Sequence, residues 1–297
     1  MVSVGSGEYS YDVIADWGSL PDGFEWGLLG AVSVDATDRV YVFSRGEHPL
    51  MVFERDGTYL RTIGEGVFRD GHGMCFDANG DILLADRGPH VVMKFDRDGQ
   101  KLMEIGQRDE PSDTGYTREN RTVLRPAGPF NLPTDVTCAA SGGFYVSDGD
   151  GNARVHEFSP DGQLLFSWGS PGTGPGEFRD VHSVWEAKGR VYVADRENHR
   201  IQIFSPDGDF VDEWTGFVQP ADIYVDDNDI MYVAELAGRV SLLTLDGTVI
   251  ARFGSPDERV REPGKFVGPH GIWADRHGDF YVAEVFAGQR VQKFVRK

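Results

Sequence analysis

Three histidines occupy the same position of a repeated segment in this 297-residue chain. They are His72 in Asp-Gly-His-Gly-Met, His182 in Asp-Val-His-Ser-Val and His270 in Gly-Pro-His-Gly-Ile, and each opens an apolar run. If six repeats close into a ring, the histidines fall on alternate repeats, about 120° apart, and meet at its axis. Three imidazoles with an open fourth position are typical of catalytic zinc. We therefore predict a metal site, with zinc preferred over copper, cobalt, nickel or iron.

A structural interpretation of the same histidines is that a consensus residue satisfies a backbone group in every repeat. That interpretation predicts histidine in most repeats, whereas the other three repeats have a different residue at this position: Ala31, Thr134 and Ala221. The alternation favours the metal site. The remaining histidines fall in predicted turns or middle strands, where we expect no chemical role: 48, 90, 156, 199 and 277.

The repeats that carry the histidines predict an all-β fold. The best copy covers 193–208, with counterparts at 146–162, 84–99 and 42–57 and weaker ones at 233–247 and 282–294. Their anchor positions, 31, 72, 134, 182, 221 and 270, are 41, 62, 48, 39 and 49 residues apart. Each unit holds three or four β-rich runs separated by glycine turns, the clearest at 78–80, 160–162, 206–208 and 245–247. This pattern is typical of propeller blades, so we predict one six-bladed β-propeller domain over 1–297, with no helix beyond a short turn.

Two segments depart from the regular repeat. Only 28 residues follow from His270 to Lys297, enough for three strands. Residues 12–18 carry the Trp-Gly signature that ends the fourth strand elsewhere, as at Trp168-Gly169. We predict that this N-terminal strand completes blade 6 and closes the ring. The 62-residue spacing marks a polar insertion at 107–130, which either covers one mouth of the ring or is a mobile surface loop.

A second column of residues lies at the end of the second run of each repeat. Arginine occurs there at positions 45, 87 and 196, and Asp150 lies close behind the glycine at 149. An arginine can bind a carboxylate or oxyanion through two parallel hydrogen bonds. The alternative is a structural Asp–Arg pair between neighbouring blades. We favour the structural role for Asp86, Asp148 and Asp195.

Composition limits the partners. A net charge of −19 argues against nucleic acid, whose phosphates require a basic surface. The chain has no apolar stretch long enough to span a bilayer, and its first ten residues lack the features of a signal peptide. Cys75 and Cys138 each lie in a strand-like run, which suits reduced, buried thiols. We therefore expect a cytoplasmic protein whose partner is a small molecule, with no nucleic-acid or membrane partner.

The repeats resemble the NHL class of six-bladed propellers, and more specifically the peptidyl-α-hydroxyglycine α-amidating lyases and their bacterial homologues. The resemblance covers essentially the whole chain and is densest at 43–48, 132–136, 146–149, 152–155, 193–198 and 268–270. It implies zinc bound by His72, His182 and His270. It also implies that Arg45 and Arg196 are the two active-site arginines.

The chain differs from this family at two functional positions. The family's tyrosine, proposed as its general base, falls at Asp150. A carboxylate there could accept a proton, although it is a weaker base than a tyrosinate, or be a fourth metal ligand, or attract a cationic substrate. The aspartate that helps the family to bind a structural calcium falls at Gly271, and its main-chain ligands map to Val32 and Met74. Without that carboxylate we do not expect the calcium.

The function predicted from these residues is a metal-dependent lyase. The metal would lower the pKa of a substrate hydroxyl, carbonyl or water. Arg45 and Arg196 would position an anionic group and Asp150 would move a proton, so that a small α-hydroxy amide or related carbinol splits into an amide and an aldehyde. Two alternatives are a non-catalytic propeller that presents its loops to a protein partner, and a lactonase-like hydrolase. Lactonase-type propellers usually hold their metal through carboxylates and asparagine, however.

Overall fold

The computed structural model describes residues 2–297, and this part of the chain consists of 27 β-strands with one turn of 3-10 helix over Arg196–Asn198. The strands form six antiparallel sheets of four or five strands and one two-residue parallel bridge. This arrangement is a six-bladed β-propeller, which confirms the predicted fold class. Among the described residues, no helix is long and apolar enough to cross a membrane.

One compact unit comprises residues 2–68 and 221–297, and it contains blades 1, 5 and 6. Blade 1 consists of β3 (Leu29–Val34), β4 (Val40–Ser44), β5 (Leu50–Phe53) and β6 (Tyr59–Ile63). Blade 5 consists of β21 (Pro220–Val225), β22 (Ile230–Glu235), β23 (Arg239–Thr244) and β24 (Val249–Gly254). Blade 6 has the order β25 (Pro269–Ala274), β26 (Phe280–Glu284), β27 (Arg290–Arg296), β2 (Tyr9–Trp17) and β1 (Val2–Ser6).

The other compact unit comprises residues 69–220 and contains blades 2, 3 and 4. Blade 2 consists of β7 (Gly71–Phe76), β8 (Ile82–Asp86), β9 (Val91–Phe95) and β10 (Lys101–Ile105). Blade 3 consists of β11 (Pro133–Cys138), β12 (Phe144–Asp148), β13 (Arg154–Phe158) and β14 (Leu164–Trp168). Blade 4 consists of β17 (Val181–Ala187), β18 (Arg190–Asp195), β19 (Arg200–Phe204) and β20 (Phe210–Trp214), and β15 (Ser170–Pro171) bridges β16 (Glu177–Phe178).

Blade 6 combines the two ends of the chain. The N-terminal strand β2 pairs antiparallel with β27, placing Val13 opposite Phe294 and Trp17 opposite Val291. Both Val13 and Trp17 are buried, so the strand belongs to the core. The prediction that residues 12–18 complete this blade is confirmed. The added edge strand β1 was not predicted, because its Val-Ser-Val alternation is short and its side chains are mostly exposed.

The blade interiors follow from the apolar pattern. Strands near the start of a blade, such as β12 and β18, are almost entirely buried, whereas outer strands such as β14 and β20 are largely exposed. The turns match the sequence as well. At the 206–208 turn the Gly208 N–H donates to the Ser205 carbonyl at 3.0 Å, and Gly208 has a φ of 81° that favours glycine.

Candidate metal centre

The first strands of blades 2, 4 and 6 each place one histidine in a common position. His72, His182 and His270 are each the second residue of β7, β17 and β25, and the pairing register with the second strand shifts at that residue. Such a β-bulge leaves one residue outside the ladder and changes the direction of its side chain. All three histidines are buried, with at most 5% of their surface exposed. The same bulge occurs at Thr134 in blade 3.

In blade 1 the register shifts by one residue from the sequence alignment. Leu29 pairs with Ser44 and Ala31 pairs with Phe43, so Gly30 is the residue omitted from the ladder. Gly30, and not Ala31, is therefore the counterpart of the histidines. The repeat alignment from sequence missed this because glycine and alanine are equally compatible with a short apolar run.

Backbone carbonyls orient two of the histidine rings. The Nδ1 atom of His72 lies 2.6 Å from the Thr134 carbonyl oxygen, and the Nδ1 atom of His270 lies 2.6 Å from the Gly30 carbonyl oxygen. A carbonyl can only accept, so Nδ1 carries the proton in each ring and donates it. In the neutral imidazole the lone pair is then on Nε2, the arrangement that metal-binding histidines use.

The three histidines are also close to one another. The rings of His72 and His182 have centroids 4.8 Å apart, with an angle of 59° between their planes. One ring nitrogen from each of His72, His182 and His270 lies within 4.8 Å of those of the others. Three neutral nitrogen donors on rigid strands suit zinc or a similar divalent transition metal. The donor set therefore fits the metal predicted from sequence.

The residues present do not fit the family's calcium. Gly271 has no side chain to replace the expected carboxylate. A Cβ atom built there would lie 2.7 Å from the Ala31 Cα atom, which real Cβ atoms essentially never do. The backbone of β25 is therefore packed tightly against β3, and we derive no role for calcium.

A cluster of alternating charges lies in blades 2, 3 and 4, and Asp150 is its centre. One Asp150 oxygen pairs with the Arg87 guanidinium, and the other lies 3.5 Å from Nη2 of Arg196. Arg87 also bonds to Asp70 at 2.9 Å, and Arg196 bonds to Asp180. The side chain of Asp150 is 12% exposed, so water screens these ion pairs weakly.

The same cluster shifts several pKa values. Burial alone would lower the pKa of Arg87, but the carboxylates of Asp150 and Asp70 raise it above its ordinary value. Burial likewise opposes the charge of Arg196, and Asp180, Asp150 and Glu197 raise its pKa. Burial raises the pKa of Asp180 well above the ordinary value, and Arg196 opposes that shift. Both arginines are therefore firmly charged.

Asp70 and Asp180 belong to the histidine motifs, but the sequence analysis predicts no role for them. Each lies two residues before a histidine, and its backbone carbonyl accepts from the N–H of the clustered arginine, at 3.0 Å for Arg87 and 2.9 Å for Arg196. The signal that could have identified them is the Asp-x-His spacing shared by the motifs at 70–72 and 180–182. Arg87 was noted in the arginine column, but nothing in the sequence links it to Asp150.

Arg45 occupies the equivalent place in blade 1. Its N–H donates to the Leu28 carbonyl at 2.9 Å, the same bond that Arg87 and Arg196 make in their blades. Leu28 takes the position of Asp70 and Asp180, so blade 1 has an apolar side chain where blades 2 and 4 have a carboxylate. The arginine is half-buried. The backbone thus supports the equivalence of Arg45 and Arg196 that the sequence predicted.

Buried carboxylates at the ends of the second strands have a structural role. Asp86, Asp148 and Asp195 accept backbone N–H groups from the segment that enters the first strand of their own blade: Asp70 at 2.7 Å, Asn131 at 2.9 Å and Arg179 at 3.0 Å. These partners differ from the Asp–Arg pairs between neighbouring blades that we predicted for the three residues. Asp195 does also pair with an arginine, at 2.8 Å, but that residue is Arg200 of its own blade.

The insertion is attached to the turn that carries Asp150. Residues 106–132 form no strand, yet Thr114 is buried and its hydroxyl donates to the Gly151 carbonyl at 2.6 Å. Asn131 reaches back to the Thr114 hydroxyl at 3.0 Å. The loop is therefore attached at Thr114 to the turn that follows Asp150, while the covering of one mouth of the ring and a mobile surface loop both stay predictions.

Comparisons with known proteins agree with the fold. The sequence model of the NHL repeat matches residues 186–204. NHL repeat-containing protein 3 of Homo sapiens is 32% identical over 69% of this chain and 59% of its own length, so the chain spans less than two thirds of that relative. Peptidylglycine alpha-amidating monooxygenase of Rattus norvegicus is 28% identical over 68% of this chain and 23% of its own length.

Solved structures extend the similarity to the whole chain. A streptogramin B lyase has a TM-score of 0.68 at 13% identity and covers 99% of this chain and 100% of its own. The XC5397 gluconolactonase from Xanthomonas campestris also has a TM-score of 0.68, at 12% identity, and covers 98% of this chain and 91% of its own. At these identities the likeness concerns the fold alone.

Together these observations define a six-bladed β-propeller whose residues 186–204 match the NHL repeat. The chain is also similar to the peptidyl-α-hydroxyglycine α-amidating lyases, the family that its sequence motifs resemble. Some of its relatives and structural neighbours are enzymes, lyases and a lactonase among them.

Proposed function

We propose that this protein is a metal-dependent lyase that cleaves small α-hydroxy amides or related carbinols. The observation that carries the proposal is the triplet of His72, His182 and His270, whose ring nitrogens lie within 4.8 Å of one another. A divalent metal held there, with zinc the first choice, would act as a Lewis acid toward a substrate oxygen. The similarity to a Caenorhabditis elegans protein named as a probable peptidyl-alpha-hydroxyglycine alpha-amidating lyase supports the same reaction class.

The charged side chains supply the remaining functions. Arg196, with Arg45 at the equivalent place of blade 1, would bind an anionic group of the substrate, because guanidinium groups pair with carboxylates through two hydrogen bonds. Asp180 and Glu197 hold Arg196 in place, which reduces the entropy lost when the substrate binds. A substrate carboxylate would then compete with Asp150 for the same guanidinium.

Asp150 would transfer the proton. In a carbinolamide the hydroxyl loses a proton, the bond between carbon and nitrogen breaks, and the amide nitrogen gains a proton. Asp150 would accept the proton from the hydroxyl and return it to nitrogen, so that the products are one amide and one aldehyde. The guanidiniums of Arg87 and Arg196 hold this carboxylate in position.

A metal-dependent hydrolase is the second candidate, because the gluconolactonase shares the propeller fold over nearly the whole chain. A metal held by the same three histidines would then activate water. The absence of carboxylate among these three donors favours the lyase. A cytoplasmic location remains a prediction from the cysteine content.

The experiment is a product assay on the purified, metal-loaded protein. An N-acylated α-hydroxyglycine should yield the amide and glyoxylate in equal amounts, and its methyl ester should react at least tenfold more slowly, because it lacks the carboxylate that the arginines bind. Sugar lactones and streptogramin-type lactones serve as the alternative substrates. Turnover of a lactone with no turnover of any α-hydroxy amide would replace the lyase by the hydrolase.

A further inference from the structure

The two cysteines of the chain meet across neighbouring blades. Cys75 is on β7 of blade 2 and Cys138 ends β11 of blade 3, and both are free thiols. Their Sγ atoms lie only 3.0 Å apart. The two residues are 63 positions apart in sequence, so nothing in their spacing predicts this contact. A disulfide bond is about 2.05 Å long, so the two sulfur atoms would have to approach by roughly 1 Å to form one.

The surroundings of the two thiols are different. Cys75 is 2% exposed and packs in an apolar cluster with Leu83 and Val136. Burial raises the pKa of the Cys75 thiol well above its ordinary value. Cys138 is only half-buried, and its Sγ donates to the Phe76 carbonyl at 3.3 Å. Cys138 is therefore the thiol that a reagent in solution reaches first, and Cys75 lies directly behind it.

We propose that Cys75 and Cys138 form a reversible disulfide that joins blades 2 and 3, made by exchange with a small-molecule disulfide such as oxidised glutathione. The Cys138 thiolate attacks one sulfur of the reagent and releases one molecule of thiol. Cys75 then loses its proton to solvent and attacks the Cys138 sulfur, which releases the second molecule of thiol. Two protein thiols are oxidised and one reagent disulfide is reduced to two thiols.

The bond would constrain a functional part of the chain. It closes the segment between the two cysteines, which contains all of the 107–130 insertion. It also links the strand that carries His72 to the strand whose Thr134 carbonyl orients that ring. A cross-link across so long a loop restricts the unfolded chain and stabilises the fold. The proposal does not depend on the proposed lyase activity.

The test uses the full-length protein, reduced and then incubated with oxidised glutathione. We expect both thiols to disappear, a peptide cross-link between residues 75 and 138 by mass spectrometry, and a rise in Tm of roughly 5 °C or more that a dithiol reductant reverses. The matched control is Cys75→Ala, in which Cys138 should retain bound glutathione as a mixed disulfide. Persistence of both thiols, glutathione held by Cys138 of the unaltered protein, or cross-links only between chains would each overturn the proposal.

Discussion

Replacing Asp150 by asparagine keeps its shape and removes the charge that Arg87 and Arg196 share. Removing one partner of a fully buried ion pair costs about 3–5 kcal/mol. Here the side chains are 24% exposed for Arg87 and 17% for Arg196, and each arginine keeps another carboxylate. We therefore expect the free energy of unfolding to fall by only about 1–2 kcal/mol, measured by urea denaturation.

The effect of Asp150→Asn on turnover should be larger than its effect on folding. A positioned proton-transfer group typically contributes about 100-fold or more to the rate. We expect kcat for the α-hydroxy amide to fall at least tenfold, which corresponds to about 1.4 kcal/mol in the activation free energy. Metal content should not change, because His72 and His270 keep the backbone carbonyls that orient their rings.

The matched control for this variant is Asp109→Asn. It also removes one aspartate from an arginine, Arg69, but that pair is exposed on the surface. Its turnover should equal that of the unaltered protein, and Asp150→Glu should recover part of the lost rate. Unchanged kcat in metal-loaded Asp150→Asn would refute the role of this carboxylate in proton transfer.

Two further predictions concern pH and the insertion. Burial raises the pKa of Asp135 to about 7, although the hydrogen bond from the Ser183 hydroxyl opposes this shift. Because the folded protein holds this proton more tightly than the unfolded chain does, the contribution of Asp135 to stability is fully present below the ordinary pKa of 3.8. It is lost as pH rises through about 7. Urea titrations should show that the unaltered protein loses a few kcal/mol more than Asp135→Asn over this interval, and parallel profiles would contradict the shift. Thr114→Val removes the hydrogen bond to the Gly151 carbonyl, so the free energy of unfolding should fall by about 1–3 kcal/mol. Proteases should also cut within 107–130 faster in this variant than in the unaltered protein. Equal cleavage rates in the two proteins would show that this bond does not hold the loop.

The fold could be predicted from sequence because every blade repeats the same local pattern. The Asp-Gly turns, the apolar runs and the Trp-Gly ends indicated the strands and the N-terminal strand of blade 6. The strand β1 could not be predicted, since its side chains lie at an exposed edge and the apolar pattern there is weak. A one-residue difference in the bulge of blade 1 was likewise invisible, because Gly30 and Ala31 are both small.

The candidate site could be predicted only where a single column of the repeat carries it. The three histidines share one column, so their proximity follows from the repeat itself. Contacts between different columns do not follow from it: Asp150 meets Arg87 and Arg196 because turns of three blades approach one another. Pairing of that kind depends on side-chain length and loop conformation, which the repeat pattern does not encode.

The most direct test of the central claim is the metal content of protein purified without chelator or nickel affinity resin. We predict about one zinc or other divalent transition metal per chain, lost in His182→Ala and retained in His277→Ala, a matched variant of an exposed histidine that pairs with Asp38. Absence of metal from the unaltered protein, with none taken up on dialysis against zinc, would contradict the metal centre and the lyase proposed from it.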